Sequence, residues 1–217
     1  MKIIEVRSLQ IPDVKVVRFG RFRDHRGYFS EPYRRGDFDT HPETSFLKGL
    51  SFPQANESAS SAGVVRGLHF QWNPFMGKFV RTLVGRMVDL FLDIRKGSPT
   101  FGKIAAYAMP TSRAADHSEW IWVPPGFAHG NYFSEDSLIE YFCTGEYSPG
   151  CEGAVSPLAA DLDWSLCPAD LRGEFQALVA RGPTISDKDK NAPSLAGWKA
   201  DPKSENFQHA ALSATHA

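Results

Sequence analysis

Two histidines, a tyrosine and a lysine in this chain form a set that could move a proton beside a carbonyl group. His69 lies in a segment with the character of a strand, residues 66–71 with the sequence RGLHFQ. His129 follows a Pro-Pro-Gly turn, and Tyr141 lies in a later strand-like segment. Imidazole and phenol are common proton-transfer groups, and a cation such as Lys78 can stabilise the charge that deprotonation leaves on a carbonyl oxygen. The set therefore predicts acid–base chemistry.

Taken one at a time, these residue types are more often structural than catalytic. Strand histidines, turn histidines, strand-end lysines and core tyrosines are all common. The neighbours of His69 favour a functional site, because Arg66 and Gln71 do not suit a plain apolar core. Alternation along a strand places His69 on one face with Gly67 and Gln71. In a jelly roll, that face could line an interior cavity.

Other polar side chains could complete a ligand site. The guanidinium groups of Arg26, Arg66 and Arg81 match the oxygens of a phosphate. Gln54 and Asn56 alternate along one predicted strand and would point the same way, where their amides could bind a sugar or the edge of a base.

Asp189 lies in a polar segment near the C-terminus. A buried carboxylate beside His69 would hold the tautomer of the ring and stabilise its protonated form, as a general base requires. A metal site is disfavoured, because the chain contains no His-x-His pair and position 71 is glutamine. We therefore predict no metal.

The bulk composition excludes several classes of function. The chain has 217 residues, which favours one domain, and a formal net charge of −1, which gives no electrostatic case for nucleic acid or an anionic membrane. No apolar run approaches the ~20 residues of a membrane span, and the start of the chain lacks a signal-peptide pattern. The three cysteines match no disulfide or metal spacing. We expect a reduced, cytoplasmic protein.

Short β-rich runs separated by Gly, Pro, Asn and Ser predict an all-β fold, an antiparallel sandwich or barrel. The predicted strands span residues 2–6, 14–19, 27–33, 51–58, 63–71, 78–84, 86–94, 103–109, 119–123, 131–134 and 138–144. No alternation of strands and helices indicates a doubly wound sheet.

Helices are expected to be few and mainly C-terminal. Residues 34–41 predict a short helix, and residues 168–181 a longer one with Leu171, Phe175 and Leu178 on one face. We predict a single domain over residues 1–198 and a poorly ordered tail over residues 199–217, because that tail is polar.

Several motifs in order resemble the dTDP-4-dehydrorhamnose 3,5-epimerase family. The matching segments are residues 22–31, 54–58, 65–71, 77–81, 93–102, 122–130 and 185–189. They cover most of residues 14–150 and one later block. The resemblance implies a cupin-type jelly-roll sandwich, a site without metal or cofactor, a nucleotide-diphosphate sugar as substrate, and a homodimer.

The resemblance also implies roles for individual residues. His69 matches the base that removes the proton next to the C4 ketone, and Asp189 matches its acidic partner. Tyr141 matches the acid on the opposite face of the sugar, and Lys78 the cation beside the C4 oxygen. The implied substrate-binding positions are Arg26, Glu31, Gln54, Asn56, Arg66 and His129.

Three departures from the family pattern leave the substrate and the inverted carbons open. Phe142 stands where the family often has lysine, Ala55 replaces a usual acid, and the segment 164–185 is longer than expected. We expect an epimerase acting at C3, C5 or both. The alternatives are a nucleotide-sugar 3,4-ketoisomerase, against which Tyr141 argues mildly, and a non-catalytic nucleotide-sugar binding module.

Overall fold

A computed structural model of the chain describes residues 2–214. Within that range the strands are β1 (Ile3–Ser8), β2 (Lys15–Gly20), β3 (Phe22–Asp24), β4 (Gly27–Phe29), β5 (Gln54–Ser60), β6 (Val65–Gln71), β7 (Lys78–Val84), β8 (Arg86–Asp93), β9 (Ile104–Pro110), β10 (His117–Val123), β11 (Phe127–Phe133), β12 (Ser137–Cys143) and β13 (Glu152–Ala154).

Two antiparallel sheets dominate the fold. The six-stranded sheet has the order β1-β2-β10-β7-β12-β5, and the five-stranded sheet has the order β13-β6-β11-β8-β9. Strands β3 and β4 form a separate hairpin. The predicted all-β sandwich of the jelly-roll type is confirmed.

Each sheet is covered on both faces. This burial explains why the sequence of β8 is a nearly continuous apolar run. Met87 and Phe91 point into the core between the sheets, together with Val80 and Ile139 of the other sheet. Alternate residues of the same strand pack on its outer side against C-terminal helices, namely Val88, Leu90 and Leu92. A strand buried on both faces gives no polar alternation.

The helices cover the outer faces of the sheets. They are α1 (Arg35–Thr40), α2 (Ala169–Ala180), α3 (Asp187–Lys190), α4 (Leu195–Ala200) and α5 (His209–Ala214), with 3₁₀ turns at Pro42–Leu47, Trp164–Leu166 and Pro202–Asn206. Helix α2 buries Leu171, Phe175 and Leu178, the three residues whose spacing predicted it. None of the helices within residues 2–214 is long and apolar enough to cross a membrane.

The expected poorly ordered tail is packed as far as residue 214. Phe207 is fully buried and Leu212 nearly so, both against the outer cluster of the five-stranded sheet. The backbone N–H of Lys96 donates to the carbonyl of Phe207, and the N–H of His209 donates to the carbonyl of Lys96. The polar composition concealed these two apolar anchors; residues 215–217 lie outside the described range.

Two predicted strands differ from the structure by four residues at one end, more than the others. The strand expected over residues 27–33 ends at Phe29, and the carbonyl of Pro32 instead accepts a hydrogen bond from the Trp120 indole. Strand β11 begins at Phe127, earlier than expected, because the turn before it ends at Gly126, where φ is +93°.

Candidate functional site

A cavity of about 430 Å³ opens between the two sheets at the end where β5, β6, β11 and β12 meet. Six of the predicted site residues line it, namely Arg66, His69, Lys78, His129, Tyr141 and Asp189. They come from β6, β7, β11, β12 and α3, so residues far apart in the sequence meet here. The fold brings together most of the set that the sequence indicated.

The base and acid candidates stand on opposite walls of this cavity. His69 belongs to β6 of the five-stranded sheet, whereas Tyr141 belongs to β12 of the six-stranded sheet. Lys78, on β7, shares the wall of Tyr141. A flat ligand between the sheets would meet imidazole on one face and phenol on the other.

His69 forms a dyad with the carboxylate of Asp189. Its Nε2 lies 2.7 Å from Oδ1 of Asp189, whose side chain is only 7% exposed, while that of His69 is 41% exposed. Burial alone raises the pKa of Asp189, but the hydrogen bond and charge of His69 and the N–H of Gly67 lower it overall. The carboxylate therefore stays ionised, and because it engages Nε2, Nδ1 is the ring nitrogen of His69 that the dyad leaves unengaged.

Local backbone features hold the dyad in place. The N–H of Gly67 donates to Oδ2 of Asp189 at 3.1 Å. Ser186 caps α3 by accepting the backbone N–H of Asp189 at 3.1 Å. The first bond fixes the carboxylate and the second fixes the backbone that carries it, which together orient the imidazole.

Two glycines let β6 and β11 approach closely beside the dyad. Gly67 has φ of +112°, and a Cβ there would lie 2.5 Å from Cα of Gly130. A Cβ on Gly130 would in turn lie 2.3 Å from the carbonyl oxygen of Arg66. Side chains at these positions would force apart the strands that carry His69 and His129.

The environment of Lys78 and Tyr141 suits an electrophile and an acid. Burial lowers the pKa of Lys78, although the nearby Cys143 and Asp89 oppose this shift. A more acidic ammonium is a stronger hydrogen-bond donor to a developing enolate oxygen. Burial raises the pKa of Tyr141, so the phenol keeps its proton around neutral pH.

Asp89 is a site residue that the sequence reasoning missed. It is fully buried on the inner face of β8, and its Oδ1 lies 2.6 Å from Nε2 of His129. The carboxylate and the imidazole thus form a close buried pair. Burial lowers the pKa of His129, while Asp89 opposes the shift. A single carboxylate in the middle of the apolar run MVDLFL was the available signal.

An adjoining cavity of about 210 Å³ shares His69, Lys78 and Tyr141 with the first and adds Gln54 and Asn56. These three candidate proton-transfer residues therefore line both cavities. Two adjoining cavities suit a ligand of two parts, such as a sugar joined to a nucleotide.

Arg26 and Glu31 lie outside both cavities of the described chain. Arg26 sits at the turn of the β3–β4 hairpin with 79% of its side chain exposed, and it pairs with Asp24 at 2.6 Å. Glu31 follows the hairpin and is half-buried. This chain alone does not bring these two predicted substrate-binding residues to the site.

No three His, Cys, Asp or Glu side chains within the described residues lie close enough to hold a metal ion. Gln71, at the position where a metal-binding pattern would need a ligand, is buried and used structurally. Its amide donates to the carbonyls of Pro74 and Glu146 and accepts the N–H of Ser148.

Comparison with known proteins agrees with this geometry. A model of the family described as dTDP-4-dehydrorhamnose 3,5-epimerase matches residues 8–197. A relative with that name from Shigella flexneri is 33% identical over 192 residues, which cover 87% of this chain and 94% of the relative. One from Neisseria gonorrhoeae is 34% identical over 202 residues; the match covers 89% of this chain but only 59% of that longer relative.

Solved structures support the same assignment. The dTDP-6-deoxy-D-glucose-3,5-epimerase of Legionella pneumophila, solved in complex with dTDP-4-keto-L-rhamnose, superposes with a TM-score of 0.75 at 30% identity. The superposition covers 92% of this chain and 96% of that one. The resemblance drawn from the sequence motifs is confirmed, and this chain belongs to the dTDP-4-dehydrorhamnose 3,5-epimerase family.

Proposed function

We propose that this protein inverts C3, C5 or both in a nucleotide-linked 4-keto-6-deoxy sugar, with dTDP-4-keto sugars as the first candidates. The observation that carries the proposal is the placement of His69 and Tyr141 on opposite sheets across one cavity. Inversion at carbon requires removal of a proton from one face and its return from the other, which this placement supports.

The proposed reaction needs no group beyond the side chains and the substrate. His69, held by Asp189, takes the proton from the carbon next to the ketone through Nδ1. The electron pair moves onto the ketone oxygen as an enolate, which the ammonium of Lys78 stabilises. Tyr141 then gives its proton to the same carbon from the opposite face, and solvent restores both groups.

The test is a panel of nucleotide-linked 4-keto sugars in heavy water, followed by NMR at C3 and C5. We expect deuterium uptake with inversion in the wild type and no uptake in His69→Ala. His117→Ala is the matched control, because His117 forms a similar pair with Asp116 at 2.8 Å but lies on β10 outside the cavity. Uptake at the wild-type rate in His69→Ala would exclude the assigned base, and movement of the ketone to C3 would indicate the isomerase instead.

We also propose that the active form is a homodimer in which the hairpin of one copy reaches the site of the other. The hairpin presents Phe22 and Phe29 with 51% and 64% of their surface exposed, an apolar exposure that a second copy could cover. This arrangement would reconcile the predicted role of Arg26 and Glu31 with their distance from the cavity. A cytoplasmic location stays a prediction that rests on the unpatterned cysteines.

Mixing two inactive variants tests the shared site. Arg26→Ala and His69→Ala disable different parts of it, and a mixed dimer would contain one site with both residues intact. We expect activity to return on mixing, up to about a quarter of the wild-type level if subunits exchange randomly. No recovery, with exchange verified by mass spectrometry of the mixed species, would refute the shared site.

A further inference from the structure

The two amides predicted to bind substrate are instead bonded to each other and to the protein. Oε1 of Gln54 accepts the backbone N–H of Tyr147 at 2.8 Å. Its Nε2 donates to Oδ1 of Asn56 at 3.1 Å. Nδ2 of Asn56 lies 3.7 Å from the sulfur of Cys143, and Asn56 stands directly opposite Tyr141 in the register of β5 and β12, beside the same cavity. The chain of bonds thus ends beside the proposed acid.

The order of donors and acceptors along these hydrogen bonds is fixed at the backbone N–H of Tyr147. A backbone N–H can only donate, so the amide of Gln54 must turn its oxygen toward Tyr147 and its NH₂ toward Asn56. Asn56 must then meet that NH₂ with its own oxygen, which leaves its NH₂ facing β12. The paired register of Asn56 with Tyr141 places this NH₂ on the side of the phenol.

The consequence falls on the hydroxyl of Tyr141. A phenol oxygen that accepts from Asn56 keeps its own proton free for another acceptor. The NH₂ of Asn56 also favours the phenolate that remains after proton donation. In agreement, this bond lowers the pKa of Tyr141 against the larger effect of burial, which raises it.

We propose that Asn56, with its amide polarity set by Gln54 and the backbone of Tyr147, is a positioning residue that aims the hydroxyl proton of Tyr141 into the cavity. The inference rests on the proposed function and adds to it, since the sequence resemblance gave Asn56 and Gln54 only as substrate contacts. A substrate contact and a positioning residue differ in what their removal changes.

The test compares Asn56→Leu with wild type in heavy water at saturating substrate. Proton removal by His69 should continue, so deuterium uptake stays within about threefold, while inversion falls about 3- to 10-fold, the effect of one hydrogen bond. The high-pH limit of inversion should move upward, because the bond that lowers the pKa of Tyr141 is gone. Glu57→Gln is the matched control on the same strand, since Glu57 is exposed on the other face; its ratio of inversion to uptake should equal that of wild type.

Gln54→Glu supplies a second variant that leaves Asn56 in place. The new carboxylate still accepts the N–H of Tyr147 but attracts the NH₂ of Asn56, which turns the amide oxygen toward Tyr141. We expect the same fall in the ratio of inversion to uptake. An equal loss of both rates, or a change in KM alone, would overturn the proposal and leave the amides as substrate contacts.

An absorbance titration tests the positioning role of Asn56 even if no sugar in the panel reacts. The phenol signal of Tyr141 is isolated by subtracting the titration of Tyr141→Phe, and it should shift to higher pH in Asn56→Leu. An unchanged titration would refute the positioning role. Absence of deuterium uptake in the wild type would count against the proposed function only.

Discussion

Replacing Asp189 with asparagine tests the dyad with almost no change in shape. The carboxylate has two engaged oxygens, Oδ1 with Nε2 of His69 at 2.7 Å and Oδ2 with the N–H of Gly67 at 3.1 Å. In Asp189→Asn, the N–H of Gly67 requires an oxygen, so the NH₂ must face His69. Nε2 of His69 then becomes the acceptor, and the proton of the neutral ring moves to Nδ1, the nitrogen that should attack substrate.

The expected loss follows from two effects. A hydrogen bond to a charged group is worth about 1.5–3 kcal/mol, which corresponds to roughly 10- to 150-fold in rate. The wrong tautomer of His69 lowers the rate further, and in enzymes that depend on the correct tautomer the total loss of rate reaches about 10⁴-fold. We therefore expect Asp189→Asn to lower deuterium uptake by about 10²- to 10⁴-fold. Turning the amide round would place its NH₂ against the N–H of Gly67, so neither orientation escapes the penalty.

Deuterium uptake measured by NMR, with substrate binding followed separately, separates loss of the base from loss of affinity. Asp187→Asn, in the same helix but exposed, is the matched control and should keep normal uptake. If Asp189→Asn retained uptake within about threefold of wild type while folded, the dyad would not be needed to hold His69 in its reactive tautomer.

Three further outcomes concern stability and the electrophile. Lys78→Met should lower kcat/KM by about 10²- to 10³-fold, which steady-state kinetics checks. It should also raise Tm at pH 7, because burial lowers the pKa of Lys78 and its charge therefore costs folding free energy. Calorimetry checks this second effect. Gly67→Ala should destabilise the fold by roughly 2–5 kcal/mol in urea titrations, since its Cβ would meet Gly130 at a positive φ; a loss under 1 kcal/mol would contradict the close approach. Asp93→Asn should cost about 3 kcal/mol at pH 7, because Arg95, only 3% exposed, loses its buried partner. Although burial opposes it, Arg95 holds the pKa of Asp93 below its ordinary 3.8, so the wild-type advantage is full above that pH and should vanish as the pH falls through the lowered value; an advantage that persists in acid would refute the pairing.

Much of the site could be predicted because its residues interrupt an apolar pattern. His69 and Arg66 stand in an otherwise buried strand, and the alternation of β structure places His69 and Tyr141 on inward faces. Residue spacing alone could not show that Asp189 completes the dyad, because 120 residues separate it from His69 and only the packing of α3 joins them. The family resemblance supplied that pairing.

Other features depended on distances that no local pattern carries. Asp89 was missed because a carboxylate inside a strand buried on both faces resembles a surface residue of an alternating strand. The tail was misjudged because Phe207 and Leu212 are isolated apolar residues among polar ones. Two such residues are enough to hold the tail against the outer face of the five-stranded sheet. Arg26 was placed by resemblance and by the fit of a guanidinium group to phosphate, and one chain does not bring it to the cavity.

The gap between imidazole and phenol is the thickness of the sandwich at that point, and the filling of the sandwich sets it. Val80 and Ile139 pack in the inner core with Tyr141, as does Phe91 from the facing sheet. Trimming or enlarging one of these apolar side chains would change the distance between the candidate base and the candidate acid, without touching any polar atom. Interior packing in this protein therefore also affects stereochemistry. Directed evolution of an enzyme that inverts one carbon rather than both could begin with these core residues.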